Sequence, residues 1–86
     1  MTWNPEQTPR TDYEVLNARE KQALHADEAQ AIIEEAREEE RETGVVATRK
    51  RDMAAVELAL SAAWQATAMA GEAWRNYYAA SARGVA

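Results

Sequence analysis

The sequence predicts an all-α fold: an antiparallel two-helix hairpin preceded by an extended N-terminal arm, self-associating into a helical bundle. Three observations carry that expectation. Residues 11–42 and 48–82 both show helical apolar spacing, and one interval, Thr43-Gly44-Val45-Val46, separates them. The charges flanking this interval are opposite in sign. The second segment carries more apolar circumference than a single neighbouring helix can cover.

The arm comprises residues 1–10. Pro5 and Pro9 lack an amide donor and disfavour helix in the residue before each. Trp3 is its apolar anchor and is expected to pack on the bundle or on a neighbouring copy. Residues 11–86 form the hairpin. Helix 1, about 11–42, opens with Thr11-Asp12-Tyr13-Glu14, which has the capping-box form in which Thr and Glu each satisfy an amide at the helix start. One apolar stripe holds Val15, Ala18, Ala26, Ala29, Ile32, Ile33 and Ala36. A shorter one holds Tyr13, Leu16, Ala23, Leu24 and Ala31. Beyond Ala36 the helix is almost wholly charged.

The interval 43–47 is read as a turn. Gly44 can adopt the left-handed conformation that ends helices, and the β-branched Val45 and Val46 weaken continuation. A continuous rod is the rival, since a single glycine inside a helix costs only about 1 kcal/mol. Charge favours the turn. Glu38, Glu39, Glu40 and Glu42 end helix 1, and Arg49, Lys50 and Arg51 open helix 2, so each cluster opposes its own helix dipole. Folding back sets the clusters side by side and turns the conflict into attraction.

Helix 2, about 48–82, places Met53, Val56, Leu60, Trp64, Trp74 and Tyr78 on one face. Ala55, Leu58, Ala62, Ala66, Met69 and Ala73 line the opposite one. Glu57, Ser61, Gln65, Glu72, Arg75 and Asn76 fill a polar strip of roughly a third of the circumference. An 86-residue chain offers little else to bury the remainder, so cover from other copies or a protein partner is expected. The alanine stripe Ala55, Ala62, Ala66, Ala73 and Ala80 suits close helix approach, within or between chains.

Composition narrows the function classes. The chain has no cysteine, so neither a disulfide nor a thiolate zinc site can staple it. Its net charge is −5, with 15 acidic against 10 basic residues, which argues against nucleic-acid and anionic-membrane partners. Residues 1–9 lack the basic and apolar regions of a secretory signal. Glu57, Gln65 and Glu72 interrupt the one stretch of near-membrane length, so a soluble, cytoplasmic protein is expected. The acid-rich composition suits a phage or mobile-element accessory protein.

No catalytic constellation is visible, and the chain reads as non-enzymatic and free of cofactors. Ser61 and Ser81 lack a nearby histidine, and Gly44, Gly71 and Gly84 are isolated, so they form no phosphate loop. His25 and Glu28 share a helix face, but Glu57 and Glu72 complete no recognisable ligand pattern; a carboxylate–histidine metal-binding bundle is the third reading. Arg49, Lys50 and Arg51 beside a helix N-terminus form a candidate anion-binding patch, which would make the chain a binder of a nucleotide-like ligand at inter-subunit pockets. The same three residues can instead pair with Glu38–Glu42. The leading expectation is an oligomeric interaction protein, an assembly, adaptor or inhibitory factor. Its interface is Met53, Val56, Leu60, Trp64, Trp74, Tyr77 and Tyr78, since large amphipathic aromatics are frequent interface anchors.

Overall fold

A computed structural model of the chain describes residue 9, residues 11–82 and residue 84. Two long helices account for nearly all of them, α1 (Asp12–Thr43) and α2 (Thr48–Ala82), packed as an antiparallel hairpin with no strand among the described residues. The arm and its Trp3, apart from Pro9, lie outside the described residues.

Local chemistry fixes each helix end. Thr11 is extended, and its side chain accepts the Glu14 amide at 3.1 Å, capping α1 as the sequence predicts. At the other end Gly44 takes the left-handed conformation (φ 70°, ψ 11°) and its amide donates to the Glu40 carbonyl at 2.9 Å. The Thr43 hydroxyl donates to the Glu39 carbonyl and accepts the Val45 amide, so the turn is held by its own side chain. The continuous rod is thereby excluded.

The start of α2 is capped by a residue of α1. Ala47, at the entrance to α2, has no capping side chain, and its amide donates to Glu40 Oε2 at 3.0 Å. The same carboxylate receives the Arg51 guanidinium, Nη2 to Oε1 at 2.6 Å and Nε to Oε2 at 3.1 Å. These two donors hold the Glu40 carboxyl down at about 2, well below its ordinary 4.5, the Arg51 bond being the larger cause. The expected attraction between the two charge clusters therefore resolves into one clasp.

The seam between the helices is made of small residues. On α1 the buried positions are Val15, Ala18, Ala29, Ile32 and Ala36. Gln22 and His25 occupy the intervening steps of the same 3–4 repeat and are half-buried. Of the longer apolar stripe, Ala26 is exposed and Ile33 only half-buried. On α2 the buried residues are Ala54, Ser61, Ala68 and Gly71, with Ala47 at the turn. No large side chain is fully buried among the described residues. Val15 and Ile32 are the branched apolar side chains of this core, each contributing about 1.5–3 kcal/mol of burial. That is a thin core for two helices of 32 and 35 residues.

Within the hairpin, close approach does not come from the expected stripe. Ala55, Ala62, Ala66 and Ala73 are exposed, and Ala54, Ser61, Ala68 and Gly71 take that place. Gly71 is the tightest point. A β-carbon there would lie 2.8 Å from Val15 Cγ2 and 3.0 Å from both Cβ and O of Pro9, so the missing side chain admits Pro9 and Val15 to the α2 backbone.

Candidate functional site

The polar strip of α2 faces α1. Between Met53 and Ala82, α2 carries three charged residues, Glu57, Glu72 and Arg75, and each bonds to α1. Glu72 accepts a forked pair from Arg19, with Nη2 3.0 and 3.1 Å from its two oxygens and Nε at 3.2 Å. Arg75 Nε lies 2.9 Å from Asp12 Oδ1. His25 Nδ1 lies 2.6 Å from Glu57 Oε2 across the middle of the seam, a spacing that makes Nδ1–H the donor to the carboxylate. Between these ties the buried Ser61 hydroxyl donates to the Gln22 carbonyl at 2.9 Å. Gln65 and Asn76, also in the strip, are exposed.

The ties specify pairing more than they stabilise it. Arg19, Glu72 and Arg75 are each about two-fifths exposed, and exposed pairs of this kind contribute roughly 0–1 kcal/mol. Their spacing along the seam fixes register: a slide of either helix by one turn breaks the forked pair and sets Glu57 away from His25.

Because the charges turn inward, the outward face of α2 is apolar. Met53, Val56, Tyr77 and Tyr78, on one side of it, are 51–61% exposed, and Leu58 and Met69, on the other side, are 50% and 55% exposed. Leu60 and Trp74 are half-buried beside this face, and Trp64, half-buried at a seam position, has Lys21 Nζ of α1 over one side at 5.1 Å from the ring centre. Of the seven residues expected to form an interface, four are thus exposed and three partly so. At the open end of the hairpin Trp74, Tyr77 and Tyr78 form a compact cluster. Trp74 stacks on Tyr78 (5.5 Å, 23°) and meets Tyr77 edge-on (5.7 Å, 89°). Ala70 and Ala73 complete an open apolar groove beside Trp74 and Tyr77. On α1, Tyr13, Leu16 and Leu24 are also exposed.

The basic residues do not converge. Arg51 is bound to Glu40, while Lys50 lines an acidic groove with Glu35, Glu38, Glu39 and Glu42. Arg49 is exposed. His25 turns to Glu57 rather than joining Glu28, which is exposed, and no group of three or more His, Cys, Asp or Glu side chains is gathered for a metal among the described residues. No described helix is long and apolar enough to cross a membrane.

Comparison with known proteins adds nothing to these observations: no family model, curated protein or solved structure matches the chain.

Sequence reasoning missed the seam itself. It ranked the faces of α2 by large apolar residues, whereas the chain buries the face with the smallest side chains. A signal was present. Folding the sequence back at Gly44 sets Arg75 opposite Asp12 and Glu72 within about a turn of Arg19, so charge complementarity across the hairpin marks the inward strip.

Proposed function

We propose that the protein is a non-enzymatic interaction protein that works as a self-associated helical bundle, with the outward face of α2 as its contact surface. One observation carries the reading: all three charges of α2 beyond Met53 are engaged by α1, which leaves a face of about 38 Å, from Met53 to Tyr78, without a charge. Water-facing helices ordinarily carry their charges outward and their apolar stripe inward. This helix does the reverse.

Magnitudes support the reading. Taking about 200 Å² for a full side chain of this size, the four half-exposed residues on the Met53 side of α2, Met53, Val56, Tyr77 and Tyr78, present on the order of 450 Å², within the range of the largest patches on ordinary monomers. Covering it in a symmetric pair removes about 900 Å² in total, before the half-buried Leu60 and Trp74 are added, which is the small end of the interface range. At about 25 cal/mol per Å² the gross gain of about 22 kcal/mol exceeds the roughly 4–15 kcal/mol lost in association.

Sedimentation velocity on the full chain over a wide concentration range tests the proposal. The expected result is a mass above that of one chain, reduced to one chain by Leu60→Asp with helicity retained. A folded monomer at every concentration would overturn it and direct the search to a different protein as the cover for α2.

A further inference from the structure

We infer that the occupant of the α2 face is a second copy of the same helix, laid antiparallel about a two-fold axis at the level of Gln65. The inference rests on the self-association proposed above and specifies its geometry. The seam positions of α2 follow a 3–4 repeat through Ala54, Glu57, Ser61, Trp64, Ala68 and Gly71, ending at Arg75. The residue preceding each of these belongs to a second, parallel repeat rotated by 100°. Two such stripes at about a right angle are what a helix in a four-helix bundle needs to meet two neighbours.

The second stripe is nearly palindromic. Met53, Val56 and Leu60 occupy its first part, Ala63, Thr67 and Ala70 its middle, and Trp74 and Tyr77 its last. Reversed about Gln65, Met53 meets Tyr77 of the second copy, Val56 meets Trp74, Leu60 meets Ala70, and Ala63 meets Thr67. Each of these layers joins one position type of the repeat to the other, which is the layer pattern of antiparallel helices packed knobs-into-holes; a parallel pair joins like to like. Large residues fall at both ends, and small ones at the centre let the axes close there. The Thr67 hydroxyl does not oppose this burial, since it already donates to the Ala63 carbonyl at 3.0 Å. One repeat step beyond each end the stripe becomes polar, at Arg49 and Ser81, and these two also meet in the same register. Antiparallel placement further keeps the two exposed Arg49 side chains at opposite ends and opposes the two helix dipoles.

The cysteine-free chain permits a direct test by spin labels at single introduced cysteines in the full-length protein. Thr48 and Gln65 are both exposed and lie off the stripe, so Thr48→Cys and Gln65→Cys leave the fold and the contact intact. Gln65 labels sit at the level of the axis and should lie about 25–30 Å apart in any side-by-side pair, with adjacent axes about 10 Å apart. Thr48 labels should lie about 50 Å apart, from 17 residues of rise on each side of the axis at about 1.5 Å per residue. Dipolar spectroscopy showing both distances supports the inference. A short distance at both sites means a parallel pair, which overturns the register and leaves self-association standing. No dipolar coupling at either site, with the mass of one chain, overturns both.

Discussion

Replacing Gly71 by alanine tests whether the hairpin seam has the closeness that its small residues imply. Alanine in a helix interior ordinarily stabilises relative to glycine by about 1 kcal/mol, because glycine loses more backbone entropy on folding. At Gly71 the new methyl would lie 2.8 Å from Val15 Cγ2 and 3.0 Å from the Pro9 carbonyl oxygen. Neither can yield cheaply. Val15 is a stiff β-branched side chain, 5% exposed, and the Pro9 oxygen is backbone. Overpacking of this kind costs roughly 1–3 kcal/mol. The expected net effect of Gly71→Ala is thus a destabilisation of about 0–2 kcal/mol, where an open site would give a gain of about 1. Urea unfolding followed by helical circular dichroism, at one fixed protein concentration because association feeds into apparent stability, measures it. Val15→Ala removes the nearest atom, so the glycine-to-alanine cost should shrink in the Val15→Ala background, a coupling read from the double-mutant cycle. An increase in stability on Gly71→Ala in the otherwise unaltered protein would refute the close seam.

Gly44→Ala should destabilise by about 1 kcal/mol for a purely conformational reason, since φ there is +70° and nothing lies within 4 Å of the added carbon; an unchanged melting temperature would contradict the left-handed cap. Glu40, held at about 2 against an ordinary 4.5, contributes stability that is complete above pH 4.5 and is lost as pH falls from 4.5 towards 2. Glu40→Gln should therefore lower the melting temperature at pH 7 and cease to do so near pH 2; a constant difference across that range would show that the carboxylate is not the clasp. Arg51→Glu should weaken the closed end of the hairpin, whereas Arg49→Glu should change stability by no more than about 0.5 kcal/mol. Equal loss from both, in thermal melts at matched concentration, would mean that the basic run acts as a unit.

Much of the fold was legible because it depends on short-range chemistry. The Thr11 cap and the left-handed Gly44 follow from residue type and spacing within one helical turn. The face of α2 that meets α1 depends instead on a choice between two stripes one residue apart, and apolar spacing does not make it, because alanine, serine and glycine give a weak hydrophobic signal. The role of Gly71 was invisible for a related reason: what gives it meaning is Pro9, 62 positions earlier. The exposed aromatic cluster was legible as composition, since Trp74, Tyr77 and Tyr78 fall within a single turn, but its exposure follows from the choice of seam.

That choice has a physical cause in α1. Its inward repeat alternates alanine with groups that need polar partners, Gln22 and His25 among Ala18 and Ala29, and Arg19 and Asp12 stand at its flank. Set against the outer stripe of α2, His25 would face Val56 or Leu60, and Arg19 and Asp12 would lose their counter-ions. A half-buried polar group without a partner costs about 1–3 kcal/mol. Set against the polar strip, the three charged residues of α2 beyond Met53 and the Ser61 hydroxyl all find partners. The polar pairs therefore act as a selector between two geometrically equivalent seams, at little cost or gain to stability. The consequence for function follows from the same logic: beyond Met53, a helix whose charges serve to orient it within its own chain has none left to keep its other face in water. Introducing a charge at the centre of that face, as Ala63→Glu, is expected to convert the assembly to single folded hairpins in sedimentation while leaving the Glu40 clasp, and its pH dependence, unchanged. If the assembly persists in the Ala63→Glu variant, the outer stripe is not the surface that holds it together.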